Sequence, residues 1–233
     1  MNDARLVFDG DSALLAEFDE RIDPAVNARA LACAAAVQAA GLRGVRDVVP
    51  AFRSVTVYFD PLLTDVDRLH ALLGLAAAQG AGADGTATAG REVEIPVCYD
   101  PPFGPDLDDV VQVSGLTRAA VIDAHAAGTY RVYMLGFVPG FAYLGEVDPR
   151  IAVPRRPAPR TAVPAGSVGI AGRQTGVYPR QTPGGWNIIG RTPLQMAPLT
   201  PHAPTLLRAG DSVRFRVVGR REFDAVAEAV EER

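Results

Sequence analysis

Two folding units are expected from the sequence, an N-terminal α+β sandwich and a C-terminal, mainly β closed barrel. Three observations predict them. Residues 1–82 interleave short strand patterns with two helical ones, residues 83–90 carry no large apolar side chain, and from Gly136 to Pro193 glycine and proline alternate with large apolar residues at short intervals. A disordered low-complexity segment would not keep Phe137, Phe141, Tyr143, Ile170, Tyr178, Trp186 and Ile188 spaced between turns, so that stretch reads as short strands joined by tight turns.

In the first unit, residues 4–8 and 13–18 read as strands around a Gly-Asp-Ser turn. Asp23 is placed as an N-cap and Pro24 as the first residue of a helix that runs to about Ala40 and stops at Gly41. Residues 45–49 and the alternating run 54–59 give two more strands, Asp60-Pro61 turns the chain, and an amphipathic helix follows from about Asp65 to Ala78. Strands and helices in that order fit a ferredoxin-like sandwich with both helices on one face of an antiparallel sheet.

After the linker at 83–90, the second unit (91–233) opens with Val93, Ile95 and Val97 alternating in a strand. The segments GPDLDDVVQVSG and LTRAAVIDAHAAG read as two helices, the second placing Val121 and His125 on one face. YRVYMLGF is a strand into the Gly/Pro-rich region, and 205–218 reads as two strands with a turn between them. Many short strands with turn signals point to a closed barrel.

Composition excludes several kinds of chemistry. With 48% hydrophobic and 21% charged residues, the chain belongs to the ordinary globular class. No apolar run reaches the roughly 18 residues of a membrane span, and MNDARLVFDGD has no basic start followed by an apolar core, so no membrane association and a cytoplasmic location are expected. Cys33 and Cys98 are too few for a disulfide framework and read as small buried hydrophobes, with Cys98 held in reserve as a reactive thiol. His70, His125 and His202 have no metal-ligand spacing, so no metal is expected. All 23 basic residues are arginine, which removes Schiff-base chemistry, lysine general bases and a lysine-containing phosphate loop. GIAGRQTG resembles such a loop only loosely, because it opens no helix.

Charge is segregated along the chain. Between Pro149 and Gly210 there are eight arginines and no Asp or Glu. Guanidinium forks match carboxylate and phosphate oxygens, so the region favours a small anionic ligand, the alternative being a solvated face or pairing with the acidic remainder of the chain. A pI near 5.4 and the lack of an aromatic stacking series among the basic residues speak against nucleic acid. Within the region Arg160 and Arg191 are the candidate anion ligands, and Gln174 and Thr182 are neutral groups able to hold an amide or to cap turns. Trp186 serves equally as core or pocket wall, and His125, whose helix ends just before the strand into this region, serves as acid/base or as a core residue.

The segments GDSALLAEF (10–18), VPAFRSVTVYFDP (49–61), EIPVCYD (94–100), GPDL (104–107), YMLGFVPGFAYLG (133–145), VPAGSVGIAGRQTGVYP (163–179), TPGGWNIIGRTP (182–193) and TLLRAGDSVRF (205–215) carry a resemblance that spans nearly the whole chain in order. On them the sequence resembles the family that comprises the B-type component of 5-oxoprolinase, allophanate hydrolase subunit 1 and kinase-inhibitor-type carboxyltransferase-domain proteins. The resemblance implies a ferredoxin-like domain followed by a cyclophilin-like barrel. It implies a role in ATP-dependent opening of the 5-oxo-L-proline lactam to L-glutamate, the chain being inactive alone and working with a second cyclophilin-like protein, the C-type component, and a separate A-type component. The ATP site would lie on or be shared with those partners. His125, Arg160 and Gln174 carry over as catalytic positions, with Arg160 on a carboxylate or phosphate and Gln174 on the lactam, while Thr182, Trp186 and Arg191 carry over as substrate-binding positions. The alternatives that go with the resemblance are a component of an enzyme acting on allophanate or another urea-derived amide, and a protein-binding inhibitor of a sensor histidine kinase.

Overall fold

The computed structural model describes residues 4–79, 90–197 and 205–231. The chain forms two compact units, Met1–Ala89 and Gly90–Arg233. Of the expected linker only Gly90 is among the described residues, and His202 lies outside them.

The first unit runs β1 (Arg5–Phe8), β2 (Ala13–Glu17), α1 (Pro24–Ala39), β3 (Val45–Pro50), β4 (Ser54–Phe59) and α2 (Val66–Gln79). Its sheet is antiparallel throughout, in the order β1-β2-β4-β3. Helix α1 starts where capping chemistry puts it: the Asp23 carboxylate accepts from the backbone N–H groups of Ala25 and Val26, and Pro24 occupies the first turn. Val26, Ala30, Cys33, Ala34 and Val37 recur on one face of α1 and meet Leu14, Val55, Val57 and Phe59 of the sheet and Leu69 and Leu73 of α2. Cys33 is buried in this core, and burial pushes its thiol up to about 11, as suits a small apolar filler.

The second unit contains β5 (Glu92–Val97), α3 (Leu107–Ser114), α4 (Arg118–Ala126), β6 (Thr129–Leu135), β7 (Ala142–Gly145), β8 (Arg160–Val163), β9 (Ser167–Ala171), β10 (Gln174–Val177), β11 (Thr182–Gly184), β12 (Asn187–Arg191), β13 (Ser212–Val217) and α5 (Arg220–Glu231). Seven strands form one sheet in the order β12-β9-β10-β7-β6-β13-β5, and β8 and β11 pair as a separate ribbon. The two edges of the seven-stranded sheet meet. Just beyond β5, Cys98 forms an antiparallel bridge with Arg191 at the end of β12, each backbone N–H donating to the other's carbonyl at 2.9 Å. A nearly closed, barrel-like sheet results, with Val97, Tyr130, Val132, Leu144, Val168, Ile170, Val177 and Phe215 among the side chains filling it.

Two features depart from the expected layout and a third adds to it. The unit is mixed α/β rather than mainly β, because α5 follows the last strand; Phe223, Val226, Ala227 and Val230 have helical spacing, but the run is short and rich in Glu. Of the expected strand pair at 205–218 only β13 forms. Asp211, 2% exposed, takes the backbone N–H groups of Arg208 and Arg91 on its carboxylate, which locks Leu206–Asp211 into a loop and buries Leu207 as a core plug. Finally, β13 pairs with β5 in parallel, joining the first and last strands of the unit.

The closure sets a steric demand at Gly190. A Cβ there would lie 2.7 Å from Val97 Cγ1 and 3.0 Å from the Cys98 carbonyl oxygen, whereas a Cβ on Gly219 would meet nothing within 4 Å. Gly190→Ala should therefore lower the unfolding free energy by about 1–3 kcal/mol in urea denaturation, with Gly219→Ala near neutral. Equal effects of the two substitutions would contradict this account of closure.

Candidate functional site

An aromatic cleft lies against the face of β10 that is turned away from the barrel core. The β6–β7 connection is a tight loop in which Gly136 N–H donates to the Phe141 carbonyl and Phe141 N–H to the Val138 carbonyl, both at 3.0 Å. This folds Phe141 inward (2% exposed) and leaves Phe137 60% exposed at a φ of 66°, a conformation that non-glycine residues rarely adopt. Phe141 packs edge-on against Tyr178, Tyr143 and Trp186 at ring distances of 5.2, 4.9 and 5.4 Å. Room for the cluster comes from Gly176 on β10, where a Cβ would meet Phe141 Cζ and Trp186 Cζ3, each at 3.2 Å. Together with Arg155, Pro159 and the Pro183-Gly184-Gly185 turn, these rings enclose about 240 Å³. The volume lies below the roughly 300 Å³ at which drug-sized pockets begin, and suits a molecule of amino-acid size.

Behind one wall lies a buried ion cluster. Asp106, at the start of α3 and 2% exposed, accepts from Arg160 Nη1 and Nη2 (2.7 and 2.5 Å), from Arg156 Nη1 (2.6 Å) and from the Ile188 backbone N–H (2.6 Å). Arg156 also reaches Asp109 at 3.2 Å. A carboxylate removed from water needs this many donors, and here they come from separate places in the chain. The same contact holds the Arg160 pKa above its ordinary value, so the guanidinium stays charged with its charge already matched.

The acid-free arginine segment is therefore not acid-free in space. Arg156 and Arg160 meet Asp106, Arg150 meets Asp148 and Arg173 meets Glu146. Arg155, Arg180, Arg191 and Arg208 have no carboxylate partner for their side chains among the described residues. Arg191 lies over the Phe103 ring, its carbon centre 5.3 Å from the centroid, and burial lowers its pKa. Arg155 is exposed on the rim of the aromatic cleft, close enough to bias the Tyr178 hydroxyl.

The sequence-derived candidates separate into distinct places. Trp186, 5% exposed, lines the cleft; Thr182 immediately precedes the Pro183 of the cleft wall, its hydroxyl donating to the Pro183 carbonyl at 2.6 Å; Arg160 pairs with Gly184 on the same ribbon. Gln174 is half-buried at the far end of β10, four residues or roughly 13 Å along the strand from Tyr178. Arg191 is at the barrel closure.

His125 is fully buried in the core. Its Nδ1 is 2.7 Å from the Tyr99 hydroxyl, its Nε2 is 2.9 Å from Thr175 Oγ1, and its ring stacks on Phe215 at 4.6 Å. Thr175 Oγ1 in turn donates to the Gly169 carbonyl at 3.0 Å, which assigns the imidazole proton to Nε2 and makes Tyr99 the donor to Nδ1. This run of groups is neutral and satisfied, and desolvation pushes the His125 pKa down to about 3. Sequence reasoning did not find Asp106 or single out Arg155. The aromatic spacing pointed to Phe137, Phe141, Tyr143 and Tyr178 as a group, but nothing local tells which arginine is left unpaired.

Comparison with known proteins agrees with this architecture. The family model for the carboxyltransferase domain, subdomain C and D, matches residues 4–207. The chain belongs to that family. It is 44% identical over 236 residues to the B subunit of 5-oxoprolinase from Bacillus subtilis (strain 168), covering 94% of this chain and 95% of that protein. Among solved structures, TTHA0988 superposes with a TM-score of 0.78 at 42% identity over 88% of this chain, which spans only 40% of that longer chain. The K. lactis urea amidolyase shares the fold at a TM-score of 0.74 and 18% identity over 98% of this chain, which corresponds to 16% of that protein. The architecture of this carboxyltransferase-domain chain thus recurs both in a protein of its own length and inside larger ones.

Two outcomes are expected from the site. Asp106→Ala leaves Arg160 without a counter-ion, Arg156 with Asp109 alone and the Ile188 N–H without its acceptor, and should cost about 3 kcal/mol of stability, measured by urea denaturation; Arg160→Ala added to it should cost much less than Arg160→Ala alone. For His125, the unfolded chain binds a proton below pH 6.5 that the folded chain refuses until about pH 3. Stability should therefore fall with pH in that window, by up to about 1.4 kcal/mol per pH unit. The stability advantage of the native chain over His125→Gln should shrink accordingly between pH 6.5 and 4. A pH-independent difference would mean that His125 titrates normally.

Proposed function

We propose that the chain is the B-type component of an ATP-dependent 5-oxoprolinase, opening the lactam of 5-oxo-L-proline to L-glutamate together with partners of the A and C types. The observation that carries this is the end-to-end similarity to the B subunit of the Bacillus subtilis 5-oxoprolinase, a protein of the same extent. The aromatic cleft supports it, because its size and its rim arginine suit a small cyclic anion.

The same reading names the two units. In the N-terminal unit the order β1-β2-β4-β3 is that of a ferredoxin-like sheet with its last strand moved to the front of the chain, which supports a circularly permuted ferredoxin-like domain. The nearly closed seven-stranded sheet supports a cyclophilin-like barrel for the other unit. Residues 1–82 and 91–233 would be the two domains.

The residues present do not fit an ATP phosphate site. No lysine is available, and the glycine-containing turn at Gly172-Arg173 joins β9 to β10 as a hairpin rather than opening a helix. The ATP site is accordingly assigned to the partner proteins or to a surface shared with them, and no step of its chemistry is assigned to this chain. Within the cleft Trp186 is a wall, Thr182 and Arg160 brace the β8–β11 ribbon, and His125 positions β10 through Thr175 instead of exchanging protons. Gln174 and Arg191 are not among the residues that line the cleft, and neither is assigned to that ligand.

A second reading, a component of an enzyme acting on a urea-derived amide, draws on the fold shared with urea amidolyase. Coupled ATP hydrolysis and glutamate release from 5-oxoproline, measured on the reconstituted complex with each component omitted in turn, separates the two. Loss of activity on omitting this chain is the expected result. A well-folded complete complex that leaves 5-oxoproline intact and turns over a urea-derived amide would replace the first reading with the second.

A further inference from the structure

Resting on that reading, we propose that Arg155 is the carboxylate-selecting residue of the cleft, which takes a small ring amide bearing a carboxylate, 5-oxo-L-proline in the first instance. The sequence brings three arginines close together at 155, 156 and 160, and the fold gives them different tasks. Arg156 and Arg160 turn to Asp106 and are neutralised there. Arg155 lines the cleft, lies close enough to Tyr178 to bias its hydroxyl, and has no carboxylate partner among the described residues. A guanidinium with no internal counter-ion, set beside Tyr178 and the aromatic walls, is a ready partner for a ligand carboxylate.

The opposite requirement, a group for the amide, falls to Trp186. Trp186 is 5% exposed and lines the cleft, where its indole N–H is the donor that the aromatic wall can offer a ligand. It is a donor only, so the lactam oxygen is the complementary atom. Phe141, Tyr143 and Tyr178 supply apolar surface for the methylene edge of the ring, and the Pro183-Gly184-Gly185 turn lets the backbone approach from the remaining side. A neutral lactam would meet the same walls but leave Arg155 without its anion, and a site built for a charged group rejects the analogue that lacks it.

Trp186 is the only tryptophan in the chain, so intrinsic tryptophan fluorescence reports on this cleft alone. Full-length chain is titrated with 5-oxo-L-proline and with 2-pyrrolidinone, which lacks the carboxylate, in the native form, in Arg155→Gln and in Arg180→Gln, whose arginine is exposed and outside the cleft. A saturable change with 5-oxo-L-proline is expected, with affinity reduced roughly ten-fold or more by Arg155→Gln and unchanged by Arg180→Gln. 2-Pyrrolidinone should bind more weakly by a similar factor and ignore Arg155→Gln. Equal affinities of native and Arg155→Gln chains for 5-oxo-L-proline, or no saturable response at all, would overturn the assignment.

The outcome is separable from that of the proposed function. If the complete complex shows no 5-oxoprolinase activity while the chain still binds 5-oxo-L-proline through Arg155, the subsite stands and the function falls. If the complex is active and Arg155→Gln leaves both kcat and KM unchanged, the function stands and the subsite falls.

Discussion

The cleft side of the C-terminal unit is organised around a desolvated carboxylate. Asp106 is 2% exposed and accepts from two guanidiniums and a backbone N–H, and those donors lie on the segment before β8, on β8 itself and on β12. A buried carboxylate with fewer donors would be strongly unfavourable, so the geometry that satisfies it is close to unique. Satisfying Asp106 fixes where the β8–β11 ribbon lies against α3, and the ribbon carries the turn and the proline that form one wall of the cleft. The position of the wall is thus decided by electrostatics behind it.

The opposite wall is fixed by packing. β10 passes between the cleft and the core, with Gly176 toward the aromatic cluster and Thr175 toward His125. The run from Tyr99 through His125 and Thr175 to the Gly169 carbonyl gives every polar atom in it a partner without placing a charge in the barrel interior. Neutral, saturated polar chains of this kind orient a strand as firmly as apolar contacts do, because any shift leaves a buried donor or acceptor unpaired. The cleft is therefore set between two stiff supports, while its rim, with Phe137 and Arg155, is exposed.

Local signals carried the elements well. Asp23-Pro24 and Gly41 mark α1 because caps and helix stops are decided by a few adjacent residues, and the aromatic spacing from Phe137 to Trp186 marks the strands that build the cleft. Long-range pairing was not legible. Asp106 and Arg160 are 54 residues apart and His125 and Thr175 are 50 apart, so nothing in either neighbourhood distinguishes a paired arginine from a free one or a core histidine from a reactive one. The charge map along the chain was accurate as a count and misleading as chemistry: the segment without acids borrows Asp106, Asp109 and Glu146 from the acidic half. Helix α5 went unread because Glu222, Asp224 and Glu228 mask the spacing of its apolar residues.

Exposure of the rim limits what the chain achieves by itself. At 4 Å, attraction between two unit charges is worth about 1 kcal/mol in water and about 4 kcal/mol at the effective dielectric of a partly buried site. An arginine exposed at the mouth of a cleft stands near the first value while the cleft is open to solvent. Covering the mouth with a second protein surface would move it toward the second value, and would leave Arg156 and Arg160 unaffected, since Asp106 already satisfies them. If Arg155 takes a ligand carboxylate as proposed, the isolated chain would bind that ligand measurably but less tightly than an assembly that covers the mouth of the cleft.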